Sequence, residues 1–207
     1  PSSSRGFATS SGGRPIVGVD PTRPRIVVAS TGDRLTRAYD SKTGRIVNTT
    51  SLADVDGNVT SAAMQGGVAV FGTDSGSIWI WKTDQQGSRP LLWSDRLHEA
   101  PVVKLTISQD GRLNSMDASG RMQSVAMTDR ELTEVQQLRD GAAESNPPEV
   151  FSFGQSVAWV SPEGVSVVDE QGQSRWQTQL PGGKINALAV APRGLRVAIG
   201  DSSGRVY

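Results

Sequence analysis

The residue types that carry most enzymatic and metal chemistry are scarce in this chain of 207 residues. It has no cysteine, and His98 is its single histidine. The absence of cysteine excludes disulfides, thiolate metal sites and cysteine nucleophiles, and one histidine is too few for a zinc site. A Ser-His-Asp triad would need His98, and no G-x-S-x-G segment supports a serine nucleophile. We therefore predict a non-catalytic chain without a cofactor, and we expect His98 to be a surface or turn residue.

The segment DVDGN is the one candidate for a metal site. Its Asp54, Asp56 and Asn58 alternate oxygen ligands as the beginning of a calcium loop does, but the bidentate glutamate that should follow is absent. The alternative is a connection between strands that uses aspartate and glycine for turn geometry. We favour this alternative and predict that no metal is bound.

Charge gives no sign of a nucleic-acid partner for the chain as a whole. Lysine and arginine total 21, as do aspartate and glutamate, so no net field would recruit an anionic surface. The first fifty residues are nevertheless basic, with eight basic and three acidic side chains. Arg34 and Arg37 are the candidates there for an interaction surface, although their spacing on one predicted strand points them to opposite faces. Scattered, solvated charge is the alternative.

Tryptophans offer a second candidate contact surface. Trp93 and Trp176 fall on predicted outer strands, where an exposed indole would mark a contact with another protein. The alternative, which we favour, is packing between neighbouring elements of the same chain.

No membrane span is expected in this sequence. No apolar run approaches the roughly 18 residues that a membrane helix needs, and the first residues lack the apolar stretch of a signal peptide. The compartment stays open: a cytoplasmic location is favoured, and an extracytoplasmic domain tethered to a membrane is the alternative.

Short β-prone runs fill the chain after a serine- and glycine-rich arm at residues 1–13. Examples are RIVVAS, VAVFG, SIWIW and LRVAIG, which are separated by Gly, Asp, Ser or Pro turns. The nearest candidate for a helix, MTDRELTEVQQLRDGAAE, has only scattered apolar residues, and we interpret it as a polar outer strand and loop. The pattern predicts an all-β protein.

A repeat organises these runs. Aligning the turn glycines Gly76, Gly120, Gly164 and Gly204 gives spacings of 44, 44 and 40 residues. A period of about 40–45 residues with several short strands per unit is typical of a β-propeller blade. The predicted blades cover residues 14–53, 58–96, 101–140, 148–180 and, incompletely, 184–207.

The predicted fold is therefore a β-propeller of four-stranded antiparallel blades, four of them and part of a fifth. A propeller ring must close, because an open end leaves the apolar face of a blade uncovered. Gly6–Ser10 could return as the outer strand of the last blade in a five-bladed ring. Alternatively, further residues or a second chain could complete seven or eight blades, and we favour this because GFATSS is a poor strand.

Most of residues 14–207 resembles the WD-repeat (WD40-like) family, with degenerate repeats. The segments that carry the resemblance are TGDRLTRAYDSKTGRIV, GNVTSAAMQGGVAVFGTDSGSIWIWKTDQQG and INALAVAPRGLRVAIGDSSGRVY. The resemblance implies a buried network of a Ser or Thr, a turn Asp, an aromatic residue and a loop His. The matching residues in the first blade are Thr31, Asp33 and Tyr39, with Asp40 as the signature acid.

The second blade matches this pattern in part. It has Thr73 and Trp81, but Ser75 stands at the Asp position and Lys82 replaces the acid. The Gly-His dipeptide of the family is absent from the chain.

The resemblance implies a non-catalytic scaffold that binds other proteins or other domains of the same chain, within a larger chain or complex. The alternative is a soluble sensory or regulatory domain of a membrane transport or signalling protein. A propeller enzyme would need clustered acids on the inner strands, and those strands supply only Asp20, Lys104 and Glu149 as charged residues.

Overall fold

In the computed structural model, antiparallel strands form all of the regular structure of the described residues, which confirms the prediction of an all-β chain. The structure describes residues 15–30, 34–87, 91–92, 96–108, 110–127, 132–140, 149–153, 156–161, 164–169, 172–179, 185–190 and 197–207. The segment considered as a helix contains a strand at Leu132–Arg139. None of the described residues belongs to a helix long and apolar enough to cross a membrane.

Each four-stranded sheet follows the order of the chain from its first strand to its fourth. The first sheet consists of β1 (Ile16–Asp20), β2 (Arg25–Ala29), β3 (Leu35–Asp40) and β4 (Ile46–Ser51). The second consists of β5 (Val59–Gln65), β6 (Val68–Thr73), β7 (Ile78–Lys82) and β8 (Leu91–Leu92). The third consists of β9 (Val102–Ile107), β10 (Arg112–Asp117), β11 (Met122–Met127) and β12 (Leu132–Arg139).

The fourth and fifth sheets complete the architecture. The fourth consists of β13 (Glu149–Phe153), β14 (Ser156–Ser161), β15 (Gly164–Asp169) and β16 (Ser174–Thr178). The fifth pairs β17 (Ile185–Val190) with β18 (Val197–Asp201), and Val206 forms a bridge to Gly200 on the far side of β18. The described part of the chain therefore contains four four-stranded blades and part of a fifth, as the sequence predicts.

Two compact units contain these sheets, Pro1–Leu105 and Thr106–Tyr207. In the first unit, small residues of the first sheet pack against large residues of the second. Val27 and Ala38 meet Phe71 and Trp81 in one cluster of buried side chains. Gly18 lets the backbones approach closely, since a Cβ there would lie 3.3 Å from the carbonyl carbon of Ala63. Burial of these apolar surfaces stabilises the pair of sheets.

In the second unit, β-branched residues of the fourth sheet form the core with the fifth. Val160, Val165 and Val167 cluster with Ile199, and Ile185 packs against them. Valine and isoleucine suit this position because branched side chains pack well on a pleated surface.

The repeated turn between the second and third strands of a blade is held by an aspartate. Asp117 Oδ1 accepts hydrogen bonds from the backbone N–H of Ser119 and of Arg121, at 2.9 and 3.1 Å. Asp201 Oδ1 accepts from the N–H of Ser203 and of Arg205, at 2.8 and 3.0 Å. The segments DASGR and DSSGR thus fold into the same turn, which explains the repeat that the sequence shows.

These hydrogen bonds make the folded state sensitive to acid at Asp201. The hydroxyl of Ser203 and the N–H of Arg205 stabilise the carboxylate and lower its pKa from 3.8 to about 2. The stabilisation is complete above pH 4, where the unfolded carboxyl is also ionised, and it is lost as the pH falls from about 4 to 2. We expect an NMR titration of the Asp201 carboxyl carbon to give a midpoint near pH 2, and a midpoint of 3.8 or above would contradict the assignment.

Candidate functional site

Arg34, predicted as a candidate surface cation, is folded onto the loop that follows the first sheet. Its Nη2 donates hydrogen bonds to the carbonyl oxygens of Val55 and Leu52, at 2.5 and 3.0 Å, and its backbone has a φ of +50°. The N–H of Leu52 donates in return to the carbonyl of Arg34, at 2.7 Å. The guanidinium therefore fixes the conformation of the loop. The carbonyl oxygens of the loop solvate part of its positive charge.

The same loop contains the candidate calcium ligands. Asp54 and Asp56 are exposed, and Asn58 donates from its backbone and its Nδ2 to the carboxylate of Asp74, at 2.8 and 3.0 Å. These bonds lower the pKa of Asp74. The carbonyls inside the loop face the Arg34 guanidinium. Among the described residues, no group of three or more His, Cys, Asp or Glu side chains is placed to hold a metal ion.

A chain of hydroxyl groups fills the turn between β6 and β7. Thr73 Oγ1 lies 2.8 Å from Ser75 Oγ, which donates to Ser77 Oγ at 3.1 Å. The N–H of Ser77 donates to Thr73 Oγ1, at 3.1 Å. Ser75 thus places a hydroxyl group at the turn position where the family resemblance implies an aspartate.

His98 was expected to be a surface or turn residue; it lies in a loop, but it is fully buried against this turn, so the surface location is wrong. Its backbone N–H donates to the carbonyl of Gly76, at 3.1 Å. Gly76 permits the contact, because a Cβ at that position would lie 2.0 Å from the carbonyl oxygen of His98. Arg96 also holds this loop against the turn, since its Nε donates a hydrogen bond to the carbonyl of Ser75 at 3.0 Å. A lone histidine in a polar segment has no periodicity that would have revealed its burial.

The remaining residues of the predicted network occupy core and turn positions. Tyr39 and Trp81 are buried, Trp81 completely. Asp40 Oδ1 accepts from the N–H of Lys42 and of Thr43, at 3.0 and 2.8 Å, so it holds the turn between β3 and β4. The turn glycines have positive φ values: Gly76 +85°, Gly120 +82°, Gly204 +83° and, at the start of β15, Gly164 +150°. Thr31, Asp33 and Trp93 lie outside the described residues.

Two predicted surface residues remain on strands. Arg37 is half-buried on β3, where it pairs with Val28 of β2 and Thr49 of β4. Trp176 lies on the outer strand β16, where it is 42% exposed. Since Trp176 pairs with the buried Val167, it continues the apolar face of the fourth sheet outward into solvent.

The fold and these sites define the class of the protein. Four-stranded antiparallel sheets recur along the chain, the same aspartate-held turn recurs in the third and fifth sheets, and within each unit an apolar face joins successive sheets. The chain is a β-propeller.

Comparison with solved structures supports this class. The chain is similar to the computationally designed Ika8 protein, with a TM-score of 0.63, 18% identity and coverage of 88% of this chain. It is also similar to the Cps50 (Swd1) β-propeller domain of Myceliophteria thermophila, with a TM-score of 0.65, 12% identity and coverage of 93%. The chain spans 54% of the first protein and 65% of the second. No protein-family model and no curated protein matches it.

Proposed function

We propose that the chain is a non-catalytic scaffold that binds another protein, with Trp176 as an anchor of the contact. The observation that carries the proposal is the exposure of a tryptophan at 42% on a strand where Ser174, Arg175 and Gln177 are exposed as well. Tryptophan and arginine are enriched among the residues that dominate the energy of protein interfaces.

The position of Trp176 suits it to this role. The indole extends a buried apolar cluster, so its inner edge is already supported by Val167. An anchor held by its own sheet loses less conformational freedom on binding than one on a flexible loop. Its strand β16 is the last of its sheet, and an edge strand is the kind of strand to which a partner can add one of its own.

The turns of the molecule support a binding role for the blades. Aspartates hold the backbone at Asp40, Asp117 and Asp201 through at least two N–H groups each. Ordered turns make a preorganised surface, which reduces the entropic cost of association. The similarity to a propeller domain is compatible with this role. The proposed position of the binding surface rests on the residues named here, and not on the fold.

The test is the replacement Trp176→Ala in the full chain. We expect recovery of the principal partner from an extract of the source cells to fall by about tenfold or more, since loss of an anchor typically costs about 2 kcal/mol. The measurement is quantitative mass spectrometry of proteins retained by the immobilised chain.

Gln177→Ala is the matched control. Gln177 is the exposed neighbour of Trp176, and it pairs with Ser166 on the opposite face of the same sheet. It should retain partner recovery. Equal recovery with both variants and the unaltered chain would refute Trp176 as the anchor.

A further inference from the structure

One pair of buried side chains recurs at the same place in the four-stranded blades, where the second strand pairs with the third. The pairs are Val27 with Ala38, Val70 with Ile80, Asn114 with Ser124, and Ala158 with Val167. Their first members lie 43, 44 and 44 residues apart, which matches the period of the blades. All eight residues are at most 8% exposed. The pair is therefore part of the core of each blade, and in the third blade it is polar.

The polar pair faces a contact between sheets. In the first and fourth sheets, the corresponding apolar pair packs in a cluster shared with the sheet that follows. Asn114 and Ser124 are each only 2% exposed. Burial of an amide and a hydroxyl costs free energy unless their donors and acceptors form hydrogen bonds. One hydrogen bond between the two side chains would use only one donor and one acceptor of the several that they carry.

A small polar cavity adjoins this pair, between the third and fourth sheets. Its volume is about 10 Å³. The third blade lines it with the pair itself and with Ser108, Asp110 and Arg112, all of which are polar. Ser156 and Val157 of β14 complete the lining from the fourth sheet. A polar space of about this volume is what one water molecule needs, provided that two to four polar groups surround it.

Hydrogen bonds hold the walls of the cavity in place. The N–H of Arg112 donates to Ser108 Oγ at 3.0 Å, and Ser108 Oγ donates to the carboxylate of Asp110. Arg112 Nε donates to Ser124 Oγ at 3.1 Å. The two Nη atoms of Arg112 bond to the carboxylate and the backbone carbonyl of Glu134, at 3.4 and 3.3 Å. The polar groups around the cavity are therefore fixed by contacts outside it, which prepares them to bind a small ligand.

The outer strand is shaped to receive Arg112. Glu134 and Val135 of β12 stand together opposite Val125 of β11, so the strand has a β-bulge at this point. Glu134 has a φ of +54°, which is unusual for a residue with a side chain. The bulge accompanies the reach of Arg112 from β10 across Ser124 to β12.

We propose that this cavity binds one ordered water molecule, which forms hydrogen bonds with Asn114 and Ser124. Apolar side chains fill the same place in the other four-stranded blades, whereas here the water supplies both volume and hydrogen-bonding groups. The contact between the third and fourth sheets is thus hydrated, while those made by the clusters of the first and fourth sheets are apolar. The inference goes beyond the proposed scaffold role and does not involve Trp176.

The first test is a crystal structure of the full chain at high resolution. We expect one water at the cavity, within hydrogen-bonding distance of the side chains of Asn114 and Ser124. Density without a water there, or a side chain in its place, would overturn the proposal.

The second test counts long-lived waters in solution by magnetic relaxation dispersion of the water oxygen. Ser124→Val places methyl groups in the cavity, and valine suits the fold because Val167 occupies this place in the fourth sheet. Asn114→Val copies Val70 of the second sheet in the same way. Each variant should bind one long-lived water fewer than the unaltered chain. Circular dichroism identifies which of them is folded and can be compared.

Ser174→Val is the matched control. Ser174 is exposed on β16 and does not line the cavity. The count of long-lived waters should therefore equal that of the unaltered chain. An equal count in a folded Ser124→Val or Asn114→Val chain, or a lower count in Ser174→Val, would contradict the assignment of the water to this cavity.

Discussion

The Trp81→Ala variant should lose about 3–5 kcal/mol of its free energy of unfolding, which is the usual cost of removing a large aromatic residue from a core. Trp81 is fully buried and packs in a cluster that joins the first two sheets. Alanine would leave a cavity that Phe71 and Ala38 are too constrained by their strands to fill. The measurement is urea denaturation followed by far-ultraviolet circular dichroism.

Trp176→Ala is the matched control for this experiment. It removes the same side chain, but from the outer strand of another sheet, at a position that is 42% exposed. We expect a loss of less than about 1 kcal/mol, because little apolar surface returns to water. Similar losses in the two variants would contradict the burial assigned to Trp81.

The second large effect is expected at Gly76, where an alanine should cost about 3 kcal/mol or more. Two destabilising contributions, one from the backbone conformation and one from a steric clash, add at this position. A φ of +85° is unfavourable for a residue with a Cβ, by about 1–2 kcal/mol. In addition, the new Cβ would lie 2.0 Å from the carbonyl oxygen of His98 and 3.1 Å from that of Ala100, so the loop must move.

Gly87→Ala separates these two terms. Gly87 has a φ of +73°, and no atom lies within 4 Å of the place its Cβ would take. It should show only the conformational cost of about 1–2 kcal/mol. The difference between the variants measures the contact with the His98 loop, and equal losses would refute that contact.

His98 provides an independent readout, because it is the only histidine in the chain. Displacement of its loop by Gly76→Ala should expose the imidazole. We therefore expect diethylpyrocarbonate to modify His98 faster in this variant than in Gly87→Ala or in the unaltered chain. Unchanged protection would show that the loop accommodates the added Cβ without moving.

The turns were the part of the fold most accessible to sequence reasoning. Gly120 and Gly204 follow the same D-x-S sequence, and this local chemistry is enough to form the turn, because the aspartate bonds to residues only two and four positions away. The short β-prone runs RIVVAS and VAVFG likewise predicted β2 and β6. Such interactions join residues that are close in the sequence, so the sequence alone can reveal them.

The candidate sites were less accessible because their partners are distant in the chain. Arg34 was predicted as a candidate surface cation and is exposed, but its hydrogen bonds to the carbonyls of Leu52 and Val55, in the loop after β4, were not predicted. Backbone carbonyls accept hydrogen bonds whatever side chain accompanies them, so no residue type marks them as partners of an arginine. His98 was predicted as a surface or turn residue, and its burial was missed for the same reason, since it depends on contact with Gly76 in an earlier turn.

The sequence alone determined the strands, their turns and the period of the blades, because each depends on residues within one short segment. The tertiary structure decided which faces are covered. Val19 and Met64 occupy equivalent positions and are both apolar, yet one is 61% exposed and the other 3%. Whether a side chain is buried depends on the element that packs against it. Tertiary packing, and not the local sequence, brings that element into contact.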